Sequence, residues 1–347
     1  MDAPRILAVA TAVPRHLLRQ DEVKAWAGRR FDGAQPDMAR LLAAFDHAGI
    51  ETRYSCVPLS WYDAPHGFAE KNRLYIEHAL DLLERAARRC LDEAGVAPAA
   101  VDAVVSASTS GIATPSLEAR LAGRLGLRAD VARLPLFGLG CAGGVLGLAR
   151  AADAVRARPS RTVLFLVVEL CGLTFRSNDR SKSNVIATVL FGDGAAAALL
   201  GGGGAGPAIA GAGEHAWPDT LDVMGWRIED DGFGVLFSQD IPSIIRRDMR
   251  GAVDRYLAGQ GLALGDVDGF VCHPGGAKVV AALEDAFGLP AGALRHTRAV
   301  LRDYGNMSAA SVMFVLERVL AEGASGRYLV SALGPGFTAG FLTLEIP

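Results

Sequence analysis

Cysteine is sparse in this chain of 347 residues. The five thiols stand at positions 56, 90, 141, 171 and 272, an odd number with no CxxC pair. That argues against a disulfide framework and a zinc site, and no metal is expected. Charge of one sign is also lacking. The formal net charge is −3, with no dense Lys/Arg run, which leaves no basis for nucleic-acid binding, although local basic pockets for a phosphate-bearing substrate remain open. Long apolar runs are missing: "TVLFLVVEL" spans only 162–170 and the run at 185–191 is shorter still, so no membrane span is expected. The start, "MDAPRILAVATAVPRHL", has neither the basic head nor the apolar core of a signal peptide, which makes the cytoplasm the default location.

What is present in quantity is glycine, 41 residues, within a chain that is 50% hydrophobic. This suits a compact α/β protein large enough for two domains. An internal repeat organises it. "LDEAGVAPAAVDAVVSAST" (91–109) reads like "LAGQGLALGDVDGFVCHPG" (257–275): a helix end, a Gly-rich turn, a "VD" pair and a short apolar strand. "PSLEARLAGRLGL" (115–127) then matches "AKVVAALEDAFGLP" (277–290), each an amphipathic helix ending in a glycine turn. Beyond them, "GCAGGVLGLARAADAV" matches "GNMSAASVMFVLERVL", and "TVLFLVVEL" matches "RYLVSALGPG" as buried strands. One βαβαβ plan is used twice, giving two pseudo-symmetric halves, 1–205 and 206–347, each a mixed sheet covered by helices. Residues 212–242 read as a strand-and-turn insertion, and 45–75 as an irregular lid or entrance.

The repeat places Cys141 of the first half where the second has Asn306, and His273 where the first has Ala107. A pseudo-twofold axis would bring both helix starts, and with them Cys141, His273 and Asn306, to one centre. A thiol at a helix N-terminus or beside an imidazolium is activated as a nucleophile and can carry an acyl group as a thioester. Small neighbours such as Gly140 and Gly143 leave room for that group. His273 as a cation would pair with Cys141, and as a donor it would hold an oxyanion together with the Asn306 amide. Taken singly, each residue has a plain alternative: a packed thiol, a structural histidine, a turn asparagine.

Six motifs in order, "TSG" (109–111), "GLGCAGG" (138–144), "FGDGAAA" (191–197), "CHPGG" (272–276), "GNMSAA" (305–310) and "GPG" (334–336), span nearly the whole chain. The chain resembles the type III polyketide synthases, the chalcone-synthase-like branch of the thiolase-fold ketosynthases. The resemblance implies a homodimer with a five-layer αβαβα core, a buried cavity, and a tunnel for coenzyme A thioesters. Cys141 would accept a starter acyl group. His273 and Asn306 would promote decarboxylation of malonyl-CoA, with no acyl carrier protein and no cofactor, since the CoA thioesters are substrates. Phe191 would stand between cavity and tunnel. Thr174, Cys171 and Thr109 match cavity positions, Thr114 one that reaches across the dimer, and Gly334 and Pro335 a tight turn near the cyclisation cavity. Val235 falls where plant members carry a second phenylalanine, and Trp226 where they have a small residue. Arg53, in "GIETRY", is the candidate surface cation for a CoA phosphate.

The absent entrance phenylalanine and the apolar pocket set point to a fatty acyl starter and an alkylpyrone or alkylresorcinol-like product. The alternatives are a malonyl-CoA or aromatic acyl-CoA starter, a ketoacyl synthase III, and a non-catalytic thiolase-fold partner subunit.

Overall fold

The computed structural model describes residues 3–31 and 41–347. In the first half the strands are β1 (Arg5–Ala12), β2 (His16–Arg19), β3 (Thr52–Ser55), β4 (Ala103–Ala107), β5 (Ala132–Leu136), β6 (Val163–Leu170) and β7 (Asp193–Gly201). Its helices are α1 (Gln20–Arg30), α2 (Phe68–Ala94), α3 (Leu117–Leu125), α4 (Gly143–Ala157) and α5 (Lys182–Leu190). The second half contributes β8 (Ala208–Ala216), β9 (Met224–Glu229), β10 (Gly232–Phe237), β11 (Gly269–Cys272), β12 (Gly326–Gly334) and β13 (Thr338–Ile346). Its helices are α6 (Ile241–Ile244), running through a π turn into α7 (Arg250–Ala258), then α8 (Ala277–Phe287), α9 (Arg295–Tyr304) and α10 (Ser311–Ala321).

Nine strands form one sheet in the order β11-β12-β13-β8-β1-β7-β6-β4-β5. The β1–β8 seam is a single residue pair, Arg5 with Ala208, so the sheet is two sheets joined at one point. Their patterns match. β4–β6 is parallel, then β6–β7 and β7–β1 are antiparallel; β11–β12 is parallel, then β12–β13 and β13–β8 are antiparallel. The repeat in the sequence is therefore a repeat of strand order.

Alternation within each strand decides which layer its side chains enter. Val105, Phe165, Val167, Val271, Val330 and Leu342 turn inward onto a central core with α4 and α10. Val104, Leu164, Leu166 and Ala197 face outward under α2 and α3, and Leu329, Leu333 and Phe341 face outward under α7 and α8. Three cores separated by two sheets give five layers, αβαβα. The inner helix α4 is buried from Gly143 to Ala149, as a helix enclosed by two sheets must be.

Residues 45–75 are more ordered than the sequence suggests. They follow a 3₁₀ turn at Ala43–Phe45 and hold β3 antiparallel to β2, a second 3₁₀ turn at Leu59–Asp63 and the start of α2. A four-residue strand is too short to leave a period in the sequence. The stretch 212–242 does contain the expected strand-and-turn element, the β9–β10 hairpin, with Trp226 opposite Val235.

Candidate active site

The parallel strands of both halves end on one side of the core, where the chain turns toward the starts of α4 and α10. Ligand sites in α/β folds lie at such carboxyl ends. Cys141 sits in a 3₁₀ turn, Gly140–Ala142, immediately before α4; Asn306 lies two residues before the matching turn Ser308–Ala310 that leads into α10, so the residue in register with Cys141 is Ala309 and the pairing of Cys141 with Asn306 holds only to within a turn. Gly140 adopts φ +48°, and a Cβ there would lie 2.5 Å from Pro335 Cδ, so only glycine lets the nucleophile turn close against the "GPG" segment. The same turn is held from the other side, where Gly140 N donates to Thr109 Oγ1 at 3.1 Å.

His273 follows β11, its backbone N–H donating to Ser331 O at 2.8 Å. Its ring is buried and both ring nitrogens are without a partner. Asn306 is equally buried: Nδ2 donates to Gly275 O at 3.1 Å and Oδ1 accepts from Ser308 N at 2.8 Å. Cys141, His273 and Asn306 line one cavity of about 20 Å³, with Met224, Phe237 and Met249 opposite. Cys141 also faces a second cavity of about 40 Å³, lined by Cys171, Phe191, Trp226, Val235, Ser308 and Pro335. The thiol thus stands where two chambers meet. Gly334 backs the turn, so close that a Cβ would lie 2.5 Å from Leu139 O.

Burial decides the protonation states. It pushes the Cys141 thiol up to about 12 and the His273 imidazole down to about 3. The enclosed, largely apolar chamber thus opposes the charged thiolate–imidazolium pair and favours the other state open to these residues, a thiol beside a neutral imidazole.

Sequence reasoning missed Glu169, the one charged residue in "TVLFLVVEL". Its buried carboxylate accepts from Thr109 N at 3.1 Å and Ser110 N at 2.9 Å, and lies 3.5 Å from Ser308 Oγ. Burial raises it to about 7, against those hydrogen bonds. Ser308, in the left-handed region at φ +46°, reaches both Glu169 and the Cys141 thiol. A charge surviving inside an otherwise apolar strand run was the available signal.

The other expected residues divide. Thr174 lines a third cavity of about 50 Å³ that shares Cys171 and Phe191 with the second. Thr114 lies exposed on the segment before α3, outside these cavities. Arg53 is the clear correction. It is not a surface cation but 3% exposed, and its Nη atoms donate to Thr188 O, Phe191 O and Val189 O at 2.7, 3.0 and 2.6 Å. The reason is local: β3 crosses the end of α5, where free carbonyls draw a guanidinium inward.

Fold and site together define a thiolase-like condensing enzyme. The chain belongs to the chalcone and stilbene synthase family, the type III polyketide synthases: the family's N-terminal domain matches residues 2–204 and its C-terminal domain residues 209–345. It is 41% identical over 351 residues to the 1,3,6,8-tetrahydroxynaphthalene synthase of Streptomyces peucetius subsp. caesius, covering 98% of this chain and 92% of that one. It is 38% identical over 354 residues to a putative chalcone synthase of Bacillus subtilis (strain 168), covering 97% of each. Among solved structures, the 1,3,6,8-tetrahydroxynaphthalene synthase of Streptomyces coelicolor A3(2) superposes with a TM-score of 0.94 at 28% identity, covering 99% of both chains. The protein is an acyltransferase of the decarboxylative condensing type, which sets aside the partner-subunit and ketoacyl synthase III readings. No described helix is long and apolar enough to cross a membrane.

Proposed function

We propose that the enzyme loads a fatty acyl group from its CoA thioester onto Cys141 and extends it iteratively with malonyl-CoA to an alkylpyrone or alkylresorcinol-like product. In each round the malonyl carbon–carbon bond breaks, CO₂ leaves, and the electron pair stays on the thioester as an enolate. His273 and the Asn306 amide stabilise that enolate oxygen as neutral donors. The enolate carbon attacks the Cys141 thioester, whose sulfur departs as thiolate. The lengthened chain then returns to Cys141 with release of CoA. A neutral imidazole serves both steps: it takes the Cys141 proton as the sulfur attacks the acyl-CoA, passes it to the departing CoA thiolate, and then stands as a donor to the enolate oxygen. No cofactor and no carrier protein enters the scheme; the CoA thioesters are substrates.

The observation that carries the fatty starter is the third cavity. It opens beside Cys171 and Phe191, and Leu18, Val23, Trp26, Leu59 and Phe175 supply an apolar lining. Its polar side chains are turned to partners of their own, Asp193 accepting from Cys56 N and Gly172 N and Tyr62 bonded to Ser55. An alkyl tail placed there gains about 0.8 kcal/mol per methylene. Malonyl-CoA as its own starter is the second reading. It is favoured by the Trp226–Phe191 contact that narrows the chamber beside Cys141, and two of the relatives are named tetrahydroxynaphthalene synthases. Incubating the enzyme with malonyl-CoA alone, with an aromatic acyl-CoA and with C8–C16 acyl-CoAs, read by mass spectrometry, tests the choice. Alkyl-bearing products support the first reading; products from malonyl-CoA alone, with none from the alkyl series, overturn it.

We further propose a homodimer built on β5. This strand ends the sheet, and Leu134, Phe137 and nearby Ile112 are exposed apolar side chains. An open apolar edge calls for a second copy to cover it. The five cysteines are all free, which supports a reducing, cytoplasmic setting.

A further inference from the structure

The helix α5 ends at Leu190, and a helix end leaves carbonyls without partners inside the helix. Here every one is taken. Arg53 Nη1 donates to Thr188 O and Phe191 O, and Arg53 Nη2 to Val189 O. Leu190 O accepts from Asn306 N at 2.8 Å. Gly192 N then donates to Asn306 O at 3.0 Å, so Phe191 and Asn306 form a parallel bridge. Three of the four carbonyls belong to Arg53 and the fourth to the candidate active-site loop.

The neighbours of Arg53 reinforce the arrangement. Gln20 accepts from Arg53 Nη2 and donates to Val189 O at 3.1 Å. Just before Arg53 along the chain, Glu51 N donates to Arg302 O at 2.8 Å and Thr52 Oγ1 to Asp303 O at 2.8 Å. The segment at β3 therefore ties the end of α5 to the end of α9, the two helices whose exits become Phe191 and Asn306. Packing there leaves no slack: a Cβ on Gly192 would lie 2.4 Å from Tyr304 O, and one on Gly305 2.8 Å from Leu190 O.

We propose that Arg53 is a positioning residue of the condensation reaction, holding the Phe191–Asn306 bridge in register so that the Asn306 amide and the Phe191 ring keep their places beside Cys141. It lines the third cavity and lies outside the two chambers that Cys141 faces. Its charge is matched to the negative end of α5. The inference rests on the reading of Asn306 as a donor to the malonyl-derived enolate.

The test compares wild type, Asn306→Ala, Arg53→Met and Arg53→Lys. It reads CO₂ release from malonyl-CoA, kcat and KM for malonyl-CoA, CoA affinity by calorimetry, and Cys141 alkylation as a count of folded sites. A displaced donor costs rate rather than binding, so Arg53→Met should lose about 10- to 100-fold in kcat per alkylatable site, with CoA affinity held within about twofold. Arg53→Lys, which keeps the charge without the planar fork, should recover part of that loss. A CoA affinity lowered about tenfold at wild-type kcat, as expected of a phosphate contact, overturns the proposal. So does wild-type kcat in both variants. If Arg53→Met does not fold, Arg53→Lys decides alone: a kcat lowered several-fold at unchanged CoA affinity upholds the proposal, and wild-type kcat overturns it. Failure of wild type to release CO₂, or an Asn306→Ala protein as active as wild type, would instead count against the proposed mechanism itself.

Discussion

The indole of Trp226 meets the Phe191 ring edge-on, with centroids 6.3 Å apart at 75°. The same indole stacks on Phe233, 5.9 Å away. A hairpin residue and the residue after α5 thus close the chamber beside Cys141 together. Replacing Trp226 with alanine should widen it, so products carry more extensions or bulkier starters than those of wild type. Chromatography with mass detection over the same starter series reads this out. The two lost aromatic pairs should cost about 1–3 kcal/mol of stability, measured by denaturant unfolding.

Cys141→Ala separates carrying from decarboxylating. The variant should show no acyl adduct by intact mass, and chain-extended product should fall by about 10⁴-fold or more. CO₂ release from malonyl-CoA should persist, because His273 and Asn306 remain. Adduct formation at another site in the variant would remove Cys141 from the mechanism.

Glu169 gives stability a pH dependence of definite sign. Its carboxyl is raised from 4.5 to about 7 by burial, so between these values the native state holds a proton that the unfolded chain has lost. Stability contributed by this group is full below the unfolded value and is lost as pH rises through about 7. Asp193, raised from 3.8 to about 6, acts in the same sense over a lower window. Glu169→Gln cannot ionise, and its melting temperature should fall less steeply than that of wild type between about pH 4.5 and 7. Thermal unfolding at half-unit pH steps measures the slope; equal slopes would show that Glu169 does not titrate in this range.

Leu134→Asp places a charge on the open edge at β5. Sedimentation should show the variant as a monomer at concentrations where wild type is a dimer. The buried thiol count should be unchanged, since Leu134 lies outside the three cores. A wild-type monomer would remove β5 as a dimer surface.

How much of this was legible beforehand depended on whether the signal was repeated along the chain. Cys141, His273 and Asn306 could be related because the repeat turns sequence distance into symmetry, and the structure places them on one cavity. Arg53 was misread because the carbonyls it serves lie about 135 residues away. Nothing in "GIETRY" announces a helix end beside it. The states of the thiol and imidazole were left open for a similar reason: motif spacing says which groups meet, while their charge depends on how much water the assembled chamber admits. Glu169 was overlooked although its mark was there, a single carboxylate in a strand buried on both faces.

The matching strand orders have a consequence for the reaction's asymmetry. A pair of identical chains related by a twofold axis must present the same residue at both equivalent positions. Such a pair could offer two thiols or two amides at the paired helix starts, never one of each. Covalent joining of the halves lifts that restriction: the turn before α4 carries Cys141, while the matching turn before α10 has Ala309 in that place and is preceded by Asn306. Division of labour between an acyl carrier and an oxyanion donor is thus open to a single duplicated polypeptide and closed to a symmetric pair of its halves.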